Sequence, residues 1–138
     1  MNLKTKLKNN QLSIGSWMTM GYPDIAEIMA STSIEWLVID MEHSSISLET
    51  AKVLINTIHM CNKEALVRVS ENNKTIIKKV LDCGADGIIV PMVNSRNDAL
   101  NAIDAAYYPP NGKRGVGLYK AQKYGQEFES YKEKLEKN

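Results

Sequence analysis

Apolar and polar positions alternate along this chain in blocks, and the blocks predict a repeating strand–helix order. Residues 1–11 are polar, with Leu3 and Leu7 four apart, which predicts a short amphipathic helix. Leu12 to Met18 reads as a first strand ending at Thr19. Gly21-Tyr22-Pro23 is a turn, and Pro23 suits the first turn of a helix whose apolar face is Ile25, Ala26, Ile28 and Met29. Trp36–Ile39 is a second strand. Ser47 is placed to cap a helix carrying Leu48, Ala51, Leu54, Ile55 and Ile58, with Glu49 in its first turn. Ala65–Val69 is a third strand, interrupted by Arg68. Asn73 caps a helix with Ile76, Ile77, Val80 and Leu81, and Gly84 stands where a helix-ending glycine belongs. Gly87–Val90 is a fourth, wholly apolar strand. Ser95 caps a helix with Ala99, Ala102, Ile103 and Ala106 on one side. A Gly-, Tyr- and Lys-rich loop fills residues 107–125, and a charged helix from Gln126 to Lys137 shows Phe128, Tyr131 and Leu135 on its apolar face.

The order is therefore β-α-β-α-β-α-β-α, with strands that hardly alternate internally. That pattern predicts an α/β domain with a parallel sheet buried on both faces. A length of 138 residues fits one domain, and 43% hydrophobic residues suffice for a core. A net charge of +1 gives no basic face for nucleic acid. No apolar run approaches a membrane span, and the amino terminus lacks a secretory h-region, so a cytoplasmic location is expected. Cys61 and Cys83 have no metal or redox spacing and read as reduced core thiols. His59 reads as structural, and Trp17 and Trp36 as core or shell residues.

The chemistry concentrates where the second strand ends. In WLVIDMEHS (36–44) the apolar run gives way to Asp40, Glu42 and His43. Parallel barrels present catalytic groups at the carboxyl ends of their strands. An imidazole can act as a general base near neutral pH. Asp40 is placed to fix the tautomer of His43 through a hydrogen bond. Arg68 is a charge in an apolar strand, costly without a purpose or a partner. A guanidinium there can stabilise a developing oxyanion or bind a substrate carboxylate; a salt bridge to Asp40 or Glu42 is the structural alternative. Gly115 and Gly117, in the run Arg114-Gly115-Val116-Gly117, offer backbone N–H groups for an anionic substrate or simply the positive φ that glycine permits. No lysine ends any of the four strands, so these strand ends offer no Schiff-base amine.

IDMEHS at 39–44, Arg68 in LVRV, VLDCGADGIIVPMV at 80–93 and YYPPNGKRGVG at 107–117 together resemble the HpcH/HpaI aldolase family, from about residue 3 to 137. The resemblance implies a (β/α)8 TIM barrel and a carbon–carbon lyase, a class II aldolase that cleaves 4-hydroxy-2-oxo acids to pyruvate and an aldehyde. It implies His43 as the catalytic base and Arg68 as the group stabilising the transition state. It makes Asp82 an acid that raises the basicity of the histidine, and gives Glu42 a supporting contact to metal-bound water. The implied cofactor is a divalent metal, Mg²⁺, Mn²⁺ or Co²⁺. Its Glu and Asp ligands lie on the family's fifth and sixth strands, beyond Asn138, so no metal ligand is expected in this chain. Such barrels need about 250 residues. The sequence thus predicts the N-terminal half of a barrel, (β/α)4 in one partial domain over 1–138, whose partners are a 2-oxo acid and either further copies or a missing C-terminal half. The alternative is an inactive half-barrel serving only as an assembly or remnant module.

Overall fold

The computed structural model describes residues 3–136. A four-stranded parallel sheet runs in the order β1-β2-β3-β4: β1 Gly15–Met18, β2 Trp36–Asp40, β3 Glu64–Arg68 and β4 Gly87–Ile89. The helices are α1 Leu3–Lys8, α2 Pro23–Ala30, α3 Leu48–Met60, α4 Lys74–Asp82, α5 Arg96–Ala106 and α6 Phe128–Glu136. The βαβα order is the one the hydrophobic pattern predicts.

The caps explain where the helices start. The Ser47 side chain accepts from the N–H of Thr50, and that of Asn73 accepts from Thr75 and Ile76. Ser95 and Asp98 form a reciprocal capping box. Gly84 ends α4 with φ +99°, a conformation that excludes most side chains.

Strand register sorts the side chains onto two faces. Met18, Ile39 and Val67 pair across one row and face the helices with Leu37, Ala65 and Val69. Against them pack Ala51, Leu54, Ile55 and Ile58 of α3 and Ile77 and Val80 of α4, all without solvent exposure. Each of these leucine, isoleucine and valine side chains contributes about 1.5–3 kcal/mol by leaving water. By strand alternation, the other face carries Trp17, Val38, Leu66 and, one pairing step further, Asp40 and Arg68.

That second face is only partly covered among the described residues, which departs from a sheet buried on both sides. Trp17 is 44% exposed there, and all of β4 is only half-buried. Several boundaries also move. Strand β1 begins at Gly15, not Leu12, and Leu12 and Ile14 are exposed. Strand β3 starts at Glu64 and ends at Arg68, and β4 stops at Ile89. In α2, Ile28 points to solvent and Ala26 and Ala30 are buried; in α5 the buried residue is Ala105, while Ile103 is exposed. The 107–125 loop contains a 3-10 helix over Lys120–Gly125. Helix α6 starts at Phe128, two residues late, and Lys137 lies outside the described residues. Its Phe128 and Tyr131 pack edge-on against Tyr108, as the apolar face predicts.

Cys61 and Cys83 are free thiols, and burial pushes the Cys83 thiol up from its ordinary value. His59 is tied by Nε2 to Asp86 Oδ2 at 2.7 Å. Among the described residues no helix is long and apolar enough to cross a membrane.

Candidate active site at the carboxyl ends of β2 and β3

Asp40 and Arg68 end neighbouring strands and face each other in the register. Arg68 grips the carboxylate at two points, Nε to Oδ1 at 3.0 Å and Nη2 to Oδ2 at 2.7 Å. Oδ1 also accepts the backbone N–H groups of Glu42 (3.0 Å) and His43 (3.2 Å), which bends the chain sharply after β2. The Ser44 hydroxyl donates to the Asp40 carbonyl and accepts from the N–H of Ile46, holding the rest of the turn. The Arg68 hydrogen bonds, seconded by the two backbone donors, hold the Asp40 carboxyl down at about 2 against the opposing effect of burial.

Glu42 lies between the two other candidates. Its Oε2 is 3.2 Å from Arg68 Nε, and its Oε1 is 3.6 Å from His43 Nε2. The imidazole itself is 70% exposed at the rim of the site. Trp17 completes the group from β1: the Arg68 guanidinium lies 4.7 Å over its ring. Asp40, Glu42, His43, Arg68 and Trp17 thus share one end of the sheet.

Asp40 does not hold the His43 ring. Its oxygens are taken by Arg68 and by backbone donors, one of them the N–H of His43 itself, and it is Glu42 that stands beside the ring. Arg68 forms the salt bridge with Asp40 that the sequence offered as its structural reading, through Nε and Nη2. Asp82 is not brought to His43 either. It closes α4, the helix that leads back toward the amino end of β4, and accepts from Arg114 Nη2 at 2.6 Å. Gly117 stands beside Asp82, where an added Cβ would be 3.5 Å from Oδ2, and Gly115 borders a small groove between α4 and α5. Neither glycine is at the β2–β3 end. The Arg114 side chain, which the sequence left unassigned, is wholly buried; Nη1 donates to the Ala106 carbonyl and the Tyr131 hydroxyl, and the guanidinium lies over the Tyr108 and Tyr131 rings. It clasps the 107–119 loop and α6 onto α4.

The sequence missed Trp17 as a member of the site. The available signal was its place two residues along β1 from Gly15, on the same face as Val38 and Leu66.

Among the described residues no three His, Cys, Asp or Glu side chains are grouped so that they could hold a metal ion. Asp40 and Glu42 are both turned onto Arg68, so the donor set present does not fit a resident divalent ion.

Comparison with known proteins places this geometry. The chain is 35% identical over 125 residues to a 4-hydroxy-2-oxovalerate aldolase of Novosphingobium aromaticivorans, covering 90% of this chain and 48% of that protein. It is 36% identical over 123 residues to a hydroxypyruvate/pyruvate aldolase of Sagittula stellata, covering 88% and 49%. A crystal structure of an HpcH/HpaI aldolase/citrate lyase family protein from Burkholderia cenocepacia superposes with a TM-score of 0.88 at 28% identity, over 95% of this chain and 54% of that one. The chain therefore spans about half the length of the relatives it matches, and its four βα units are half of a TIM-barrel-like fold. The model of one family, HpcH/HpaI aldolase/citrate lyase, matches residues 13–135, and the chain belongs to that family.

Proposed function

We propose that this chain carries the proton-transfer and oxyanion-stabilising half of a pyruvate-releasing aldolase acting on 4-hydroxy-2-oxo acids. The observation that carries the reading is the convergence of His43, Glu42, Arg68 and Asp40 at the carboxyl ends of two adjacent parallel strands. The His43 imidazole takes the proton of the C4 hydroxyl. The C3–C4 bond breaks, the aldehyde leaves, and the electron pair moves through C3 and C2 onto the keto oxygen as an enolate. Arg68 donates to that oxygen as its charge develops. A proton returned to C3 gives pyruvate. Glu42, beside the ring, favours the imidazolium that forms on the way. Asp40 holds Arg68 and so positions the donor.

The wider family uses a divalent metal, and Mg²⁺, Mn²⁺ or Co²⁺ remains the cofactor we propose for the complete enzyme. Its ligands would have to come from residues other than those described. A C-terminal half or another copy of the chain would supply them. Asp82 belongs to the same question: bound to Arg114 at a helix end, it could act on an imidazole only in a neighbouring copy. We place the protein in the cytoplasm on the same reading.

The test is turnover. The 138-residue chain with each metal should not cleave 4-hydroxy-2-oxo acids, whereas a polypeptide that includes the other half of the barrel should. In that longer protein His43→Ala should abolish turnover and leave metal affinity near normal. Full activity of the variant would end the assignment of the base, and loss of metal would make His43 a ligand. Metal-dependent turnover by the short chain would overturn the account of the missing ligands.

A further inference from the structure

We propose that Trp17 is a positioning residue: its indole holds the Arg68 guanidinium flat in the plane set by Asp40 and leaves Nη1 as the donor offered to substrate. The claim rests on the aldolase reading only for what Nη1 finally meets.

Three constraints fix the guanidinium. Its Nε and Nη2 edge is committed to the two oxygens of Asp40. Glu42 sits 3.2 Å from the same Nε. One face lies on the Trp17 ring at 4.7 Å. Among the described residues Nη1 has no hydrogen-bond partner. A group held along one edge and one face can present only what is left.

Trp17 is poorly explained as a core residue. It is 44% exposed, on the open face of an edge strand. The register places β2 between Trp17 and Arg68, so the ring and the guanidinium meet over β2, where Asp40 also holds the guanidinium. An aromatic ring supplies what Asp40 cannot. The two carboxylate bonds define an axis of approach, and the ring face blocks the guanidinium from turning out of plane. Rotation about the Nε–Cζ bond requires the group to stand edge-on to the indole, where the cation–π attraction is lost. Glu42 reaches the Nε edge of the guanidinium rather than its face, and His43 reaches Glu42.

The test uses the ¹⁵N-labelled 138-residue chain without substrate. Arg68 side-chain resonances, assigned by their loss in Arg68→Lys, should be shifted upfield by the indole and show cross-relaxation to its protons. Trp17→Leu should speed Nε–Cζ rotation by about five- to tenfold, the order expected of a partly desolvated cation–π contact; Trp17→Phe should recover most of the restriction. A folded Trp17→Leu chain with unchanged rotation would overturn the proposal. If that variant does not fold, the unmutated chain decides, because absence of both the upfield shift and the cross-relaxation overturns it equally. Rotation is read without turnover, so a failed aldolase assay and a failed clamp are separate results.

Discussion

Asp82→Ala separates two roles for one carboxylate. The structure makes Asp82 the sole ionic partner of Arg114 among the described residues, whose side chain has 0% exposure against 15% for Asp82. Without it the guanidinium keeps one carbonyl, one tyrosine hydroxyl and two ring faces, none of them charged, and its Nε already has no partner. Removing one member of a buried pair costs about 3–5 kcal/mol, and the ring faces retain a part of that, so we expect a loss of about 3 kcal/mol. Unfolding entropy of about 2.1 cal/mol/K per residue gives roughly 0.3 kcal/mol/K for a chain of this size, hence a fall in Tm of about 10 °C. Urea unfolding gives the free energy, and calorimetry the Tm. Arg114→Met in the Asp82→Ala background should restore part of the loss, since the orphaned charge is then gone. The His43 ring resonances of the isolated chain should not move. A cost below about 1 kcal/mol, or an Asp82→Ala chain of normal stability with displaced His43 signals, would refute the clasp and return Asp82 to the histidine.

Other consequences are simpler to state. The Asp40 carboxyl should titrate near 2 by ¹³C NMR, and Arg68→Met should return it toward 3.8. Because the folded value is depressed, its stabilisation is fully present above the ordinary carboxylate range and is lost as pH falls through about 2; a midpoint near 3.8 in the unmutated chain would contradict the grip. Ser95→Ala should cost about 1 kcal/mol and raise amide exchange at Asp98, whose N–H the serine accepts; unchanged protection there would deny the cap. Gly112→Ala would place a Cβ 2.4 Å from the Tyr107 carbonyl oxygen and 2.9 Å from that of Ile103. Backbone must shift to admit it, so a loss of about 2 kcal/mol is expected in urea unfolding, and a neutral substitution would show the loop to be looser than described.

The local part of this fold was legible because its signals are local. Ser47, Asn73, Ser95 and Gly84 mark helix ends by chemistry that acts within four residues, and each stands at a helix end in the structure. The strand ends were legible where polarity changes abruptly, as at Asp40. The first strand was not, because Leu12 and Ile14 are apolar yet exposed and outside the strand. Within the site, the sequence gathered Asp40, Glu42, His43 and Arg68 and left Asp40 two partners, the His43 ring or Arg68; the structure shows the second. Nothing local says that a neighbouring strand's guanidinium will occupy a carboxylate before an imidazole can. Asp82 and Gly117 illustrate the other limit. Their mutual closeness, and their distance from the strand tips, arise from how the 107–119 loop folds back on α4, which periodicity does not encode.

The carboxylate at the tip of β2 serves two masters, a side chain from β3 and the main chain of its own following turn. Any change at position 68 therefore propagates into the path of residues 42 and 43. Substitutions of the arginine and of the histidine should be energetically coupled even though the two side chains do not touch. An alanine scan would charge to the arginine both its own chemistry and the histidine's displacement; a double-mutant cycle divides the two.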